Sequence, residues 1–385
     1  MFDIVLVLAA VSAAIGGYRL GFVARSASWI GFGLGVVGGA LLLPEVLPQV
    51  QDASEGTIAL VSIGLLVGMA LIGNALGLVL GTRLHAELPA GAVRRTDQVA
   101  GGVIGVVGLL VILWLLLPTL AYIPGWMSTQ ARGSVIAREV NERFPDAPDT
   151  LAALRTLVGD DPFPEVFDAL RPAPDPGASP GSSGLSTELA NQVAGSTVKI
   201  EGVACSRVQE GSGFFVDENL VVTNAHVVAG VDDPTVELFD GATAGADVVA
   251  FDPDRDLAVL RTRGAGRAPL PLRDAAVGDT GGVFGRPGGG PLEISPFRVG
   301  DEITAVGRDI YGSASTSREV LVLASQLAPG DSGSALVDPQ GQVVGVAFAV
   351  APDDPDVAYA LSIDELEAVL GGDLSAERDT GGCLA

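Results

Sequence analysis

Along the first third of the chain, apolar residues run on without interruption by charge: residues 4–18, 26–44, 56–82 and 98–131 contain no Asp, Glu, Lys or Arg. These runs measure 15, 19, 27 and 34 residues. A helix needs about 20 apolar residues to cross the hydrocarbon core, so the last three are long enough, and the first becomes so when Tyr18 and Arg19 extend to the interface. The pattern predicts an all-α, four-helix transmembrane domain over residues 1–125. A cleaved signal peptide is the rival reading of the first run, but no Lys or Arg precedes it and Asp3 stands where a basic segment belongs. Gly35/Gly39, Gly64/Gly68, Gly73/Gly77 and Gly101/Gly105 stand four apart, which lets helix backbones approach closely in lipid. No ionisable residue lies mid-span to mark an ion or proton route.

All five basic residues of this region, Arg19, Arg25, Arg83, Arg94 and Arg95, fall in the intervals between runs one and two and between runs three and four. Lys and Arg favour cytoplasmic loops, so those intervals are expected inside and the N-terminus outside. Everything after Trp126 is then expected to be extracytoplasmic.

From residue 128 the pattern changes. Val135, Ile136 and Val140 are spaced as on a surface helix, and Pro145 and Pro148 end that element. A second short helix is expected from Thr150 to Val158, followed by RPAPDPGASPGSSG at 171–184, a linker without periodicity. Such a tether is also where a neighbouring copy would nick the chain. Residues 126–185 are therefore expected to form a helical connector and linker. Beyond Ser186, short β-branched runs alternate with Gly, Pro and Asp (STVKIEGVAC, GSGFFVDENLVVTNAHVV, DVVAFDPDRDLAVLRT, VLVLASQL, QVVGVAFAV), and residues 186–385 are expected to form an all-β double barrel.

Charge narrows the partners. Residues 190–385 carry 12 basic and 30 acidic residues, a net charge of −18, which repels polyanions and argues against nucleic acid. The two cysteines, Cys205 and Cys383, both fall on the expected oxidising side, so a single disulfide between them is expected. Two cysteines and one external histidine make no ligand cluster, and neither metal nor other cofactor is expected. The turn GRPGGG at 285–290 lacks the Lys-Ser/Thr of a phosphate-binding loop and precedes no helical pattern, so it reads as a loop.

Candidate chemistry gathers at three places. LAPGDSGSAL sets Ser332 in a Gly-rich turn, where small neighbours free the hydroxyl and let backbone N–H groups converge. LVVTNAHVV ends an apolar strand at His226, and the only other histidine, His85, lies on the expected cytoplasmic side. A serine hydroxyl needs a base within hydrogen-bond reach to act as a nucleophile near neutral pH, and imidazole supplies one. In DPDRDLAVLRT, Asp256 opens a buried run and needs a partner there, which His226 can be; Asp252 and Asp254 are its rivals.

Two resemblances follow from these segments. The opening stretch, through Asp3, Gly17, Tyr18, Arg19, Gly21 and Phe22, resembles the colicin-V-production family, with Leu20 departing where a second basic residue is common. TNAHVV, DLAVL and GDSGSAL, in that order, resemble the signature segments of chymotrypsin-fold serine proteases, with trimmed loops like the bacterial high-temperature-requirement type. Together they resemble the actinobacterial membrane-anchored acid-resistance periplasmic proteases. That resemblance implies His226 as general base, Asp256 as its orienter, Ser332 as nucleophile, and the N–H groups of Gly330 and Ser332 as the oxyanion hole. The expected partners are extracytoplasmic proteins or peptides, the lipid bilayer, and the chain itself through self-cleavage in the linker. A non-catalytic sensor or scaffold on the same fold, or a transport factor with an accessory domain, is the competing reading.

Overall fold

The computed structural model describes residues 2–46, 55–122, 126–144, 173–204 and 207–384. The expected helix at Thr150–Val158 lies outside the described residues. The chain divides into two compact units, one of Met1–Leu120 with Gly133–Gly159, the other of Ala121–Arg132 with Asp160–Ala385.

Among the described residues the first unit holds three long apolar helices instead of four: α1 (Phe2–Val46), α2 (Glu55–Ala86) and α3 (Ala92–Tyr122). The first two charge-free runs share one element, because the polar interval Arg19–Arg25 contains no proline and departs from helical dihedrals only at Gly21, φ 78°, ψ 164°. That break is filled from behind. Asp97 of α3 accepts the Val23 N–H at 3.0 Å, an orphan donor created by the break, and its other oxygen meets Nδ1 of His85 at 2.7 Å. A Cβ at Gly21 would overlap the Asp97 carboxylate, so glycine is required by space as well as by its positive φ.

The arm of α1 before Gly21 lies antiparallel to α3, with Ala13 opposite Gly105 and Gly17 opposite Gly101. The arm after it lies antiparallel to α2, with Ala27 opposite Gly77, Gly31 opposite Gly73 and Gly35 opposite Met69. At these points a Cβ would overlap partner backbone, whereas Gly64 and Gly68 meet nothing within 4 Å, so three of the four glycine pairs are packing seams and one is not. Ser28 and Asn74 hydrogen-bond across the second seam. Large side chains such as Ile4, Leu34, Leu76 and Val103 point outward, each at least 60% exposed, the surface a bilayer would cover. The short helix α5 (Val135–Arg143) belongs to this unit, and its N-terminal turn is held by Asp3, which accepts the Ile136 N–H at 3.1 Å.

The second unit contains α4 (Trp126–Arg132), α6 (Thr187–Ala194) and twelve strands in two six-stranded sheets. The first sheet comprises β1 (Thr197–Ala204), β2 (Arg207–Asp217), β3 (Leu220–Thr223), β4 (Thr235–Leu238), β5 (Thr243–Asp252) and β6 (Leu257–Thr262). It closes as a barrel in the order β1-β2-β3-β6-β5-β4, with β1 pairing back onto β4. The second comprises β7 (Thr280–Gly285), β8 (Glu293–Arg308), β9 (Ser315–Ala324), β10 (Ala335–Val337), β11 (Val343–Ala351) and β12 (Asp354–Leu361). It also closes as a barrel, in the order β10-β11-β12-β9-β8-β7, with the three-residue β10 pairing both β11 and β7. Both sheets are six-stranded and closed, and the fold expectation is corrected at the helices, three long apolar ones among the described residues in place of four. β10 is short because it follows directly on the Gly-rich turn of Ser332, which consumes the residues a longer strand would need.

The sequence alternation explains the core. Phe214, Val222 and Leu257 from the first sheet and Phe284, Val346 and Phe348 from the second belong to one buried cluster, so the sheets share a core at their seam. Behind it, α8 (Ile363–Leu370) buries Leu366 and Val369 and is capped by Ser362. The tail then crosses to the first sheet, where Gly230 N–H donates to Thr380 O at 3.1 Å and Cys383 lies against Gly230. Cys205 lies outside the described residues, and none of the described cysteines is a free thiol.

The linker is not a free tether where it is described. Residues 173–184 lack regular structure, yet Pro176 is buried, its carbonyl accepts Arg298 Nη2 at 2.8 Å, and Ala173 N–H donates to Asp353 Oδ2 at 3.0 Å. Gly300 leaves the space that Pro176 fills. The composition signalled no periodicity, but an extended Pro-rich strap can still bury its rings against a sheet.

Candidate active site

β3 ends at Thr223, and Asn224 begins a single helical turn, α7 (Ala225–Val228), that carries His226. Asn224 Nδ2 donates to the Asp256 carbonyl at 2.8 Å and ties this turn to the entrance of β6. Asp256 itself is fully buried and has φ 60°, the only positive φ outside glycine among the described residues. Asp tolerates this left-handed conformation better than most residues, and here it turns the carboxylate inward. Its Oδ1 accepts the His226 N–H at 2.9 Å and its Oδ2 meets His226 Nδ1 at 2.8 Å. One carboxylate thus fixes both the backbone and the ring of the histidine. Asp252 turns instead to Arg255, accepting its N–H at 2.8 Å, and Asp254 offers its backbone carbonyl to Thr316 and Arg318. Of the three carboxylates weighed from the sequence, Asp256 is the one that reaches His226.

Ser332 sits in the turn between β9 and β10, where Gly330 (φ 99°) and Gly333 (φ 83°) both need left-handed backbone. A Cβ on Gly333 would overlap the Ser212 carbonyl and press on Thr223 at 3.0 Å, so the turn lies directly against the strand that leads to His226. Ser332 is 5% exposed. Among the described residues, neither the Gly330 N–H nor the Ser332 N–H donates to a protein acceptor. Both donors are therefore left unpaired within the protein, in a Gly-rich turn beside the serine hydroxyl.

Three residues that sequence reasoning did not single out hold this turn. Ser212, buried on β2, donates its N–H to Ser332 O at 2.8 Å and its hydroxyl to Gly330 O at 2.7 Å, and accepts the Arg286 N–H at 3.0 Å. Gly288 donates its N–H to Pro329 O at 2.6 Å. Asp331 turns its carboxylate inward to accept the Ala328 N–H at 2.9 Å, and burial pushes its pKa up from 3.8 to about 6, against the stabilising pull of that N–H. The small residues of GSGFF were the signal available for Ser212: a serine between two glycines inside a strand marks a close approach of other backbone.

Comparison with known proteins agrees with both halves of the chain. Residues 2–144 match the Colicin V production protein family and residues 211–346 match the trypsin-like peptidase domain family. The serine protease Rv3671c of Mycobacterium tuberculosis is 32% identical over 397 residues, covering 100% of this chain and 98% of the relative. The crystal structure of the Rv3671c protease in its active form aligns with a TM-score of 0.51 at 35% identity, covering 54% of this chain and 94% of that one. Serine protease PepD of the same organism is 31% identical over 46% of this chain and 41% of its own length. The chain belongs to the family of Rv3671c: it is a serine endopeptidase of the trypsin-like fold, anchored in the membrane through apolar N-terminal helices with its protease domain on the extracytoplasmic side.

Proposed function

We propose that Ser332 is the nucleophile, His226 the general base that takes its proton, and Asp256 the carboxylate that holds the imidazole in one tautomer and stabilises the cation formed during attack. The observation that carries this reading is the pair of hydrogen bonds that the Asp256 carboxylate accepts from the backbone N–H and Nδ1 of His226, on a turn packed against the segment of Ser332. With Nδ1 committed to the carboxylate, Nε2 is the nitrogen left to accept the hydroxyl proton. Attack on a peptide carbonyl gives a tetrahedral oxyanion that the N–H groups of Gly330 and Ser332 stabilise. The proton held on Nε2 then passes to the leaving amine, and water repeats the sequence to release the acyl group.

The substrates are proteins or peptides at the outer face of the membrane. Residues 1–125 anchor, 126–185 connect and 186–385 cut, and α1 begins on the outer side, a reading that the Asp3 contact with α5 supports. The resemblance of the whole chain to membrane-anchored acid-resistance proteases supports acid stress as its physiological setting. Self-cleavage in 171–184 would require the strap around Pro176 to detach first, and the lipid bilayer is the partner of the exposed apolar helix faces.

Turnover of a peptide library by the detergent-solubilised full chain tests the assignment. Ser332→Ala, His226→Ala and Asp256→Asn are each expected to lower kcat by about 10⁴-fold or more without loss of fold, and the Ser332→Ala/His226→Ala double variant is expected to resemble the worse single one. Additive losses, or an Asp254→Asn variant that loses activity while Asp256→Asn keeps it, would contradict the assignment.

A further inference from the structure

The Gly-rich turn Gly285–Gly290 reads from sequence as a loop without chemistry, yet it lies directly against the turn of Ser332. A Cβ on Gly330 would overlap the Arg286 carbonyl and stand 2.8 Å from Gly288 N and 3.2 Å from Gly289 N. Gly288 and Gly289 have φ 59° and 66°, both left-handed, and this conformation turns the Gly288 N–H onto Pro329 O at 2.6 Å. The far side of the turn is braced: the Glu210 carboxylate occupies the space where a Gly289 side chain would go, and Lys199, the only lysine in the sequence, holds Glu210 at 2.6 Å and Glu201 at 3.0 Å.

A trans peptide is planar, with its C=O and N–H pointing in opposite directions. When Gly288 fixes the Pro329 carbonyl, it therefore also fixes the Gly330 N–H at the other end of the same plane, directed away from the Gly-rich turn. The Ser212 hydroxyl holds the Gly330 carbonyl, so the next plane, Gly330–Asp331, is fixed as well and Gly330 is anchored on both sides. Rotating the Pro329–Gly330 peptide by half a turn would replace the N–H donor with a carbonyl oxygen and repel a developing oxyanion.

We propose that Gly285–Gly290, through the Gly288 N–H, together with the Ser212 hydroxyl, is a latch that keeps the Gly330 N–H aimed into the oxyanion hole. The inference rests on the assignment of Ser332 and Gly330 made above. Gly288 and Ser212 are positioning residues: they act on the Gly330 peptide and do not touch substrate.

The latch can be tested without steric damage, because a Cβ at Gly288 would meet nothing within 4 Å. Gly288→Val therefore changes little except the ability to hold φ near 60°, which β-branched residues resist and Asn accepts. In the full-length protein in detergent, Gly288→Val and Ser212→Ala are expected to lower kcat by about 10- to 100-fold, less than outright removal of an oxyanion donor, which costs about 10²- to 10³-fold. KM should stay within about threefold, and a peptide boronate, which mimics the tetrahedral state, should bind more weakly by the factor lost in kcat/KM. Gly288→Asn should recover most of the loss. Wild-type kcat in Gly288→Val, or equal damage from Asn and Val, overturns the latch while Ser332→Ala remains inactive beside them. Turnover by Ser332→Ala in the same assay would bring down the underlying assignment as well.

Discussion

At the scale of single residues, the site combines two buried carboxylates with opposite tasks. Asp256 is satisfied by two N–H groups of the same histidine, whereas Asp331 has one backbone donor and little else, and burial lifts its pKa to about 6. The rise from 3.8 means that the folded domain holds this proton more tightly than the unfolded chain does. Its contribution to stability is therefore present in acid, complete below about pH 4, and lost as pH rises through about 6, a difference of about 3 kcal/mol. Asp331→Asn, which cannot titrate, should remove that dependence. The gap in Tm between wild type and Asp331→Asn is expected to shift in favour of wild type from pH 7 to pH 5, measured by differential scanning fluorimetry; a gap that does not move would refute the account. His226, Asp256 and Ser332 were legible because each sits in a short segment with one chemical exception in an apolar run. Gly288 was not, because the partner of its N–H lies 41 residues away in sequence, at Pro329, and only the folded chain brings the two together.

At the scale of elements, composition identified strands and apolar helices but not where one helix ends and another begins. The interval Arg19–Arg25 looked like a loop because it is charged at both ends, yet seven residues with one glycine are too few to leave a helix without turn residues. The break at Gly21 depends on Asp97 and His85 from other helices, which no local pattern reveals. The glycine seams divide in the same way. Gly73→Leu should overlap the backbone of Gly31 and destabilise the helix pair by about 1–3 kcal/mol or more, whereas Gly64→Leu, which faces open space, should be nearly neutral. Thermal aggregation of the two variants in detergent checks this, and equal Tm values would contradict the seam. The contacts of the strap at 173–184 were not legible because Pro-rich composition reports the absence of helix and strand, not the absence of contacts.

At the scale of the whole molecule, an apolar anchoring unit and a strongly acidic protease unit share one chain, and the positions of the arginines orient the first while the motif order identifies the second. The shared core at the seam of the two sheets keeps His226, from the first, and Ser332, from the second, in one frame. The central claim is that this frame makes the Ser332 hydroxyl a nucleophile. The most direct measurement is to treat the full-length protein with a fluorophosphonate and map the adduct by peptide mass spectrometry. The account predicts a single stoichiometric adduct on Ser332, absent from Ser332→Ala and slowed by at least about 10³-fold in His226→Ala. An unmodified Ser332 in folded wild-type protein, or labelling that proceeds equally fast without His226, would contradict it.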